Sequence, residues 1–339
     1  MVVDISKERR CWFVTGAAGF IGSHLCERLL ELGQKVVAID NFSTGKRENI
    51  EYLHNWAGPE RAKLFSFFEQ DIRDREGIAD LVRRSAPDVV LHQAALGSVP
   101  RSIAEPVVSH QTNVDGFMNV LEASRLAGVK RFVYASSSSV YGDVQEESNT
   151  EERIGQCLSP YAATKRANEI YAQVFGRVYG LETVGLRYFN VFGPRQDPNG
   201  PYAAVIPRWL EAINSGEQAV LYGDGSTSRD FCFVANIVQA NLLAGTIAAE
   251  SVVMNKVVNI ACGATTSLKR LFSLLRDEFA RVRGVPTTSI PEPKEEPFRN
   301  GDILHSLADI SFARTGLGYE PTDTVEEGIR KLVAYSVGR

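Results

Sequence analysis

Three side chains near the middle of the chain, Ser137, Tyr161 and Lys165, have the types and spacing of a proton-transfer site. Tyr161 and Lys165 are four residues apart in a segment with helical periodicity, so they share one face of a helix. A tyrosine with an ordinary pKa of about 10 is a poor base at neutral pH, and a neighbouring ammonium favours its phenolate. Ser137 ends an apolar run and can link Tyr161 to a substrate hydroxyl. Taken alone, a Tyr–Lys pair is common on amphipathic helices and a serine run is common in polar loops, so the surroundings must decide.

A glycine-rich segment near the N-terminus indicates a dinucleotide-binding turn. Gly16, Gly19 and Gly22 follow a short apolar run and precede a helical pattern. In that context the first glycine allows a tight turn, the second lets the backbone approach a pyrophosphate, and the third lets the helix pack on the sheet. The helix N-terminus then faces the phosphates with free N–H groups. Without that context, such a glycine pattern is more often an ordinary loop.

Asp40, at the end of the second apolar run, predicts which dinucleotide binds. A carboxylate there can accept both hydroxyls of the adenosine ribose and would repel a 2′-phosphate. The residues that follow, Asn41 and Phe42, include no arginine. The sequence therefore favours NAD over NADP, although Asp40 by itself could merely cap a turn. Two further segments, Asp71–Ile72 and Gln93–Ala95, follow the third and fourth runs, where the adenine and the rest of the cofactor would pass.

Alternating strands and helices must position these residues. The predicted strands are short and rich in Val, Ile or Phe: Trp12–Thr15, Lys35–Ile39, Leu64–Phe68, Asp88–His92, Arg131–Ser136 and Thr183–Arg187. Helical spacing separates them at Ser23–Leu32, Glu76–Arg84, Val108–Ala127 and Tyr161–Tyr179. Strand, helix, strand at this spacing predicts right-handed crossovers and a parallel sheet, which is a doubly wound α/β Rossmann fold.

The pattern changes after about Arg187, where prolines interrupt a loop-rich stretch. Two later apolar segments, Phe231–Gly245 and Lys256–Ala261, could return to the first sheet, whereas Ala264–Arg283 and Thr324–Val337 are predicted helices. We therefore predict a NAD-binding Rossmann domain of residues 1–187 plus about 229–261. A smaller α/β lobe would comprise about 188–228 plus 262–339.

Composition and charge argue against several other classes. The formal net charge is −4 and the basic residues are scattered, so a nucleic-acid-binding surface is not expected. The five cysteines form no Cys-x-x-Cys pair, which predicts no metal site and is typical of a reducing compartment. No leader and no apolar stretch long enough to span a bilayer is visible, so we expect a cytoplasmic protein without a membrane segment.

With these motifs in place, the whole chain resembles the extended short-chain dehydrogenase/reductase superfamily and, within it, the nucleotide-sugar 4-epimerases. The resemblance is greatest to the bacterial UDP-N-acetylglucosamine 4-epimerases of polysaccharide biosynthesis. The matching stretches are Gly16–Gly22, His92–Pro100, Ser136–Gly142, Ser159–Lys165, Leu186–Pro194, Tyr202–Pro207, Gly223–Phe231 and His305–Asp309.

This resemblance implies a mechanism with tightly bound NAD. Tyr161 would take the proton from the sugar 4-hydroxyl while NAD accepts the hydride from C4. The 4-keto sugar would turn about its diphosphate and take the hydride back on its other face, so no net oxidation occurs. The implied cofactor-binding residues are Gly16, Gly19, Phe20, Ile21, Gly22, Asp40, Asn41, Ser43, Thr44, Gly45, Asp71, Ile72, Gln93, Ala94, Ala95, Asn113, Ser136, Tyr161, Lys165, Tyr188 and Val191.

The second lobe would, by the same resemblance, bind the nucleotide sugar. Arg229 and Arg299 would neutralise the diphosphate, Asp302 would accept a ribose hydroxyl, and Asn190 would contact the phosphate or the sugar. Each of these could instead be a surface side chain. The full set of implied substrate-binding residues is Gly97, Ser98, Ser137, Ser138, Ser139, Tyr161, Asn190, Ala204, Val205, Tyr222, Arg229, Arg299, Asp302 and Ser306.

Residue types discriminate among related activities. Ser138 and Ser139 stand where related dehydratases and decarboxylases carry carboxylates, which disfavours elimination and decarboxylation. Asn190 stands where the UDP-glucuronate epimerases usually have threonine. Small residues at Gly97, Ala204 and Ser306 leave space for an N-acetyl group, so interconversion of UDP-GlcNAc and UDP-GalNAc is expected, with UDP-Glc and UDP-Gal as slower substrates.

Several alternatives stay open at this point. They are a UDP-glucose or UDP-glucuronate 4-epimerase, a net NAD-dependent nucleotide-sugar oxidoreductase, and a dinucleotide sensor without catalysis. Sensors usually lack the tyrosine or the lysine, and both are present here. By analogy with relatives that pair two helices into a four-helix bundle, a homodimer through Val108–Ala127 and Tyr161–Tyr179 is also expected.

Overall fold

A seven-stranded parallel sheet forms the centre of the computed structural model, which describes residues 5, 8–199, 203–298 and 304–338. The strands are β1 (Cys11–Thr15), β2 (Lys35–Asp40), β3 (Phe65–Glu69), β4 (Val89–His92), β5 (Arg131–Ser137), β6 (Glu182–Tyr188), β7 (Val191–Phe192), β8 (Val220–Tyr222), β9 (Ser228–Arg229), β10 (Cys232–Phe233), β11 (Lys256–Ile260), β12 (Thr266–Ser267), β13 (Lys294–Glu296) and β14 (His305–Ser306). The main sheet has the order β11-β6-β5-β4-β1-β2-β3. The order reverses between β1 and β4, and ligands of such sheets bind at that point.

Helices cover both faces of this sheet and build the remainder of the molecule. They are α1 (Phe20–Glu31), α2 (Arg47–Ala62), α3 (Arg75–Ser85), α4 (Val99–Ala104), α5 (Pro106–His110), α6 (Gly116–Leu126), α7 (Pro160–Tyr179), α8 (Val205–Asn214), α9 (Val234–Thr246), α10 (Leu268–Arg283), α11 (Ser311–Leu317) and α12 (Val325–Val337). None of the helices in the described ranges has both the length and the apolar composition needed to cross a bilayer.

The predicted doubly wound α/β fold is confirmed. All six strands predicted in the first half are present, with ends that differ from the prediction by no more than one residue, because short apolar runs buried on both faces suit a parallel sheet. Lys256–Ile260 joins the sheet as β11, next to β6.

The prediction for the other segment expected to return to the sheet, Phe231–Gly245, is wrong, because this segment does not add a strand to the main sheet. It contains the two-residue β10 followed by the helix α9, which packs against the sheet and against α1. Nearly every residue of α9 is buried, including Asn236 and Asn241. A helix buried on all sides lacks the amphipathic period that distinguishes it from a buried strand.

The predicted helix Val108–Ala127 is interrupted. A π-helical turn, Gln111–Asp115, separates α5 from α6. The extra residue of a π turn changes which side chains face inward, and such turns are frequent at functional sites. Here the turn places Thr112 on the wall of the cofactor cleft described below.

A second apolar cluster lies outside the main sheet. It is formed largely by α8, α10 and α12 with β8, and it includes Trp209, Leu271, Leu275, Ile329 and Val333. Short strands in this region form two small sheets of their own: β9 pairs with β12 and β14, and β8 pairs with β13. The domain boundaries predicted from the sequence stay a prediction.

Candidate active site

The glycine turn between β1 and α1 is shaped by close backbone approach. Gly16 has φ +70°, and a Cβ added there would lie 2.8 Å from the Ala94 nitrogen. A Cβ at Gly22 would lie 2.1 Å from the Gly16 carbonyl oxygen. Gly19 precedes the helix, and no side chain caps the first N–H groups of α1. The turn therefore presents free backbone donors where a pyrophosphate would bind.

Asp40 lies at the carboxyl end of β2, beside this turn. Its carboxylate accepts hydrogen bonds from the backbone N–H of Ala18 (3.0 Å) and of Phe42 (2.7 Å). Burial raises the pKa of Asp40, and these hydrogen bonds oppose the shift. A Cβ at Gly45 would lie 2.8 Å from an Asp40 carboxylate oxygen, so glycine there keeps the carboxylate accessible from the loop.

The cations that follow Asp40 are already paired. Lys46 donates to Asp197 (2.9 Å), and Arg47 donates to Glu69 (2.9 Å) while its guanidinium lies 4.0 Å from the centre of the Phe42 ring. A 2′-phosphate would therefore have to compete with carboxylates for both cations, next to the negative Asp40. This arrangement fits NAD.

A cleft of about 400 Å³ runs from this turn across the ends of the strands. Eighteen of the cofactor residues implied by the sequence line it: Gly16, Gly19, Phe20, Ile21, Gly22, Asp40, Asn41, Ser43, Thr44, Ile72, Gln93, Ala94, Ala95, Ser136, Tyr161, Lys165, Tyr188 and Val191. Gly97, Ser137 and Asn190, implied as substrate residues, line it as well. Ile39, Gln70, Thr112 and Ala135 also contribute, and sequence reasoning did not single them out.

Three implied cofactor residues lie beside the cleft and support its wall. Gly45 lies against Asp40. Asp71 accepts from Asn41 (2.9 Å) and pairs with Arg73, whose hydrogen bond lowers the pKa of Asp71 to about 2. Asn113, on the π-helical turn, accepts from the Leu96 N–H (2.7 Å) and donates to the Leu96 carbonyl (3.1 Å). Asp71 thus supports Asn41, which lines the cleft, and Asn113 supports the loop after β4 at Leu96.

The loop after β4 is fixed by buried hydrogen bonds. The Thr15 hydroxyl accepts from the N–H groups of Gln93 (3.2 Å) and Ala94 (3.1 Å), which leaves its own proton for the His92 Nδ1 at 3.0 Å. Burial lowers the pKa of His92 to about 3, so the imidazole is neutral. The Tyr188 hydroxyl donates to the Gln93 side chain (3.1 Å) and so ties the end of β6 to this loop.

The predicted catalytic trio meets at the end of β5 and the start of α7. Ser159 caps α7 by accepting from the Ala162 N–H, which places Tyr161 in the first turn and Lys165 one turn later. The Tyr161 side chain is hydrogen-bonded to Ser137. The Lys165 ammonium donates to the Ala135 carbonyl at 2.9 Å and lies 5.9 Å from the centre of the Tyr161 ring.

Burial and charge act in opposite directions on this trio. Burial raises the pKa of Tyr161, and the hydrogen bond with Ser137 opposes the rise. Burial also lowers the pKa of Lys165 to about 8, and the negative charge of Glu169 opposes that shift. At neutral pH most Lys165 side chains therefore remain charged, which favours the phenolate of Tyr161.

A buried ion cluster behind Lys165 was not anticipated from the sequence. Glu169 accepts from Arg187 (2.8 and 2.9 Å), from the Ser136 hydroxyl (2.6 Å) and from Arg166 (2.9 Å). Glu169 and Arg187 are almost wholly buried, whereas Arg166 is partly exposed. Burial by itself would raise the pKa of Glu169, but its three partners together hold it below the ordinary value.

A second cavity of about 420 Å³ adjoins the first, and Asn190 lines both. Val205, Tyr222 and Arg229, implied as substrate residues, are on its wall. The Arg229 guanidinium donates to the Leu304 carbonyl at 3.1 Å. Arg208, Trp209, Gln218 and Phe231 line it too, and sequence reasoning did not single them out.

The remaining implied substrate residues have diverse positions. Ala204 precedes α8, and Ser306 on β14 pairs in register with Arg229 on β9. Ser98 has φ +125° and caps α4 by accepting from the Arg101 N–H. Ser138 and Ser139 form a 3₁₀ turn after β5. Arg299 and Asp302 lie outside the described residues.

Asp230 is a further site residue whose role was not recognised from the sequence. Its buried carboxylate accepts from the N–H groups of Cys262 and Gly263, both at 2.9 Å, and burial raises its pKa to about 6. Its carbonyl accepts from the Asn190 amide at 3.1 Å. Asp230 thus joins the strands near the second cavity to the end of β11 and orients Asn190. In the sequence Asp230 directly precedes an apolar run and falls within the matching stretch Gly223–Phe231.

The fold and this site together define a Rossmann-type enzyme that binds NAD next to a Ser–Tyr–Lys centre. A family model described as the NAD dependent epimerase/dehydratase family matches residues 12–261. The chain belongs to this family and, within it, to the UDP-sugar 4-epimerases.

Individual relatives match over nearly the whole chain. A UDP-glucose 4-epimerase from Mycolicibacterium smegmatis is 38% identical over 323 residues, 95% of this chain and 97% of that protein. A UDP-N-acetylglucosamine 4-epimerase from Methanobrevibacter ruminantium, solved with UDP-N-acetylmuramic acid, has a TM-score of 0.86 at 38% identity, with coverage of 98% and 99%. A Thermus thermophilus UDP-glucose 4-epimerase, solved with NAD, has a TM-score of 0.81 at 36% identity, with coverage of 97% and 99%. Relatives of equal similarity thus act on different sugars.

Proposed function

We propose that this epimerase interconverts UDP-GlcNAc and UDP-GalNAc, with UDP-Glc and UDP-Gal as slower substrates. The observation that carries the N-acetyl preference is Ser306, a half-buried small side chain beside Arg229. In the 4-epimerases that this sequence resembles, a bulky aromatic side chain at this position closes the pocket to the N-acetyl group. Gly97 supports the same reading, because nothing lies within 4 Å of a Cβ added there.

The chemistry follows from the positions of Ser137, Tyr161 and Lys165. Bound NAD supplies the hydride acceptor and donor for C4 of the sugar. Tyr161 takes the proton of the sugar 4-hydroxyl and later returns it, and Ser137 connects the two oxygens by hydrogen bonding. Lys165 stabilises the phenolate with its charge. A transient 4-keto sugar connects the two epimers, so the sugar must turn while its nucleotide stays bound.

The second cavity is proposed to hold the nucleotide during that turn. Arg229 would neutralise part of the diphosphate, and Asn190, which lines both cavities, would contact the phosphate or the sugar. Arg299 and Asp302 keep their proposed contacts with the diphosphate and the uridine ribose. Firm binding at this end and sparse contacts at the sugar allow both faces of C4 to reach the cofactor.

We also propose that NAD stays bound between turnovers. The loop after β7 is anchored to the helix α1 and to the loop after β2, and other residues of both elements line the cofactor cleft. Arg195 is largely buried and pairs with Glu27 on α1, and Asp197 pairs with Lys46. Two ion pairs from one loop, made two residues apart, would slow the opening that cofactor release requires.

The decisive experiment incubates the purified enzyme with each UDP-sugar in turn, without added NAD, and separates products by chromatography. The proposal expects UDP-GalNAc from UDP-GlcNAc at a higher rate than UDP-Gal from UDP-Glc. Turnover of UDP-Glc or UDP-glucuronate alone would replace the substrate. A sugar product that forms only when NAD is added in a parallel incubation, with NADH accumulating at 340 nm, would indicate a net oxidoreductase. No 4-epimer from any sugar would refute the proposal.

Ser306 provides the test of the sugar pocket. Ser306→Tyr should abolish turnover of the acetylated pair and spare UDP-Gal, because the ring would fill the space for the N-acetyl group. Ser306→Ala, the matched control, removes the hydroxyl without adding volume and should keep acetylated turnover. Survival of acetylated turnover in Ser306→Tyr would show that this position does not line the N-acetyl pocket.

A homodimer is proposed on the helical face formed by α5, α6 and α7. Exposed apolar side chains at Ile170, Val174 and Val178 recur every fourth residue of α7, and Val107 and Leu126 are exposed on α5 and α6. A contiguous apolar stripe of this kind marks an interaction surface. In light scattering, Val174→Arg should halve the mass of a dimeric wild type, whereas the exposed control Val252→Arg should not. A monomeric wild type would refute the dimer.

A further inference from the structure

The buried Lys165 ammonium has a neutral hydrogen-bond acceptor on one side and a carboxylate one helical turn away. The Lys165 ammonium is almost wholly buried, and its hydrogen bond goes to a neutral acceptor, the Ala135 carbonyl. Other groups close to it are Tyr161 on the same helix and the neutral His92 on β4. Ser136 and Ser137, at the end of β5, line the same cleft. The Glu169 carboxylate, one turn further along α7, is the anion that acts on Lys165.

Hydrogen bonds hold Glu169 in position and favour its negatively charged form. Its oxygens accept from Arg187 on β6 and from the Ser136 hydroxyl on β5. Ser136 and Arg187 are paired in register on neighbouring strands, so both donors come from a rigid part of the sheet. Ser136 also follows Ala135, whose carbonyl receives the Lys165 hydrogen bond. The same carboxylate therefore bonds the strand end that holds the ammonium.

We infer that Glu169 is a positioning residue that keeps Lys165 charged and fixes the strand end to which Lys165 binds. It does not touch the reacting atoms and acts through Lys165. The inference rests on the proposed roles of Tyr161 and Lys165 in proton transfer. It extends the working site to a buried cluster of Lys165, Glu169, Arg187 and Ser136.

The physical reason lies in the cost of a buried ammonium. Without a nearby anion, burial favours the neutral amine. A neutral Lys165 no longer stabilises the Tyr161 phenolate. With Glu169 present, the Lys165 pKa is about 8, close enough to neutrality that loss of the carboxylate would leave much of the population uncharged at pH 7.

Glu169→Gln tests the charge with little change in shape. The alkaline limb of the kcat/KM profile, where Lys165 loses its proton, should move to lower pH by about one unit. At pH 7.5 kcat should fall about threefold, because the charged fraction of Lys165 drops from about three quarters to about one quarter. The KM for the UDP-sugar should change little, because no substrate contact is removed. Arg166→Gln is the matched control, since it removes a partner of Glu169 but keeps the carboxylate, and its limb should not move to lower pH.

A second readout does not depend on turnover. Lysine labelled with ¹³C at Cε gives NMR signals that report each ammonium, and the Lys165 signal is identified by its absence in Lys165→Arg. Its titration midpoint should be lower in Glu169→Gln than in the wild type and in Arg166→Gln. A purely structural role of Glu169 would lower activity without moving this midpoint.

Glu169→Gln leaves Arg187 buried without its anion, so this variant could fail to fold, and a second variant is needed. The double variant Glu169→Gln/Arg187→Gln removes both charges, and its alkaline limb and Lys165 midpoint should also move to lower pH. If either variant folds and its alkaline limb and Lys165 titration midpoint stay at the wild-type pH, the inference is wrong. Loss of folding in both would overturn it too, since Glu169 would then act on stability. An inactive wild type would instead refute the proposed function.

Discussion

Gly22 allows a sharp test of how the glycine turn binds NAD. It lies in the first turn of α1, and Gly22→Ala adds one methyl group that faces the carbonyl of Gly16. Gly33→Ala, just beyond the other end of the same helix, is the matched control. There the added Cβ meets nothing within 4 Å, and the cost comes from a φ of +69°.

The size of the effect follows from the distances. The new Cβ at position 22 would lie 2.1 Å from the Gly16 oxygen and 2.7 Å from its carbon. Both atoms belong to the backbone, so α1 and the turn must separate by about 1 Å to restore normal contact. Overpacking of this kind costs about 1–3 kcal/mol. The left-handed alanine at position 33 costs a similar amount, about 1–2 kcal/mol.

Stability therefore should not distinguish the two variants, but cofactor content should. Each apoprotein should lose about 1–4 °C in Tm, given the unfolding entropy of a chain this long. A displacement of about 1 Å would lengthen hydrogen bonds from the turn to the pyrophosphate beyond their useful range. NAD released by acid from purified protein should fall several-fold in Gly22→Ala and remain near the wild-type level in Gly33→Ala. A full complement of NAD in Gly22→Ala would refute the packing argument.

Three other perturbations test separate parts of the site. Asp230→Ala leaves buried N–H groups unpaired and should lower the free energy of unfolding, measured by denaturant titration, by about 2–4 kcal/mol. The matched control Asp224→Ala changes an exposed residue and should cost less than about 1 kcal/mol. Equal losses in the two variants would contradict the role of Asp230. Burial lowers the pKa of His24 to about 4, so the unfolded chain binds a proton that the folded chain does not, and stability should fall as pH drops from 6.5 to 4. His24→Asn should flatten that slope in pH-dependent denaturant titrations, and an unchanged slope would contradict this account. Asp197→Asn breaks the ion pair with Lys46 and should raise the rate of NAD dissociation about two- to fivefold in a cofactor-exchange assay. An unchanged rate would show that this ion pair does not slow NAD release.

The parts of the site that sequence alone predicts are those built from local spacing. Gly16, Gly19 and Gly22 fall within one turn, and Tyr161 and Lys165 fall on one helical face, so the backbone brings each group together by itself. Asp40 could be assigned because a parallel sheet places the ends of β1 and β2 at the same edge. The longer set of cofactor residues was implied by the family resemblance, and eighteen of them line one cleft.

Helix α9 shows where periodicity stops being informative. Its residues face the sheet on one side and α1 on the other, so polar and apolar positions do not alternate with any period. Asn241 illustrates the difficulty, because it is wholly buried and satisfied by the Tyr188 hydroxyl and the Gln93 side chain. Such an asparagine resembles a loop residue in the sequence, and only tertiary partners make it compatible with a core helix.

Glu169 and Arg187 show why a part of the working site escapes sequence reasoning altogether. Each is a charged residue in an apolar setting, and neither spacing nor composition links a helix residue to a strand 18 positions later. The link is the register of β5 with β6, which places Ser136 beside Arg187 and directs both toward α7. Because an isolated buried charge is strongly unfavourable, substitution of either Glu169 or Arg187 leaves the other buried without its partner. The consequence for the enzyme is that the charge of Lys165 depends on a pairing between two strands, so mutations at that pairing should alter the pH dependence of catalysis without touching substrate.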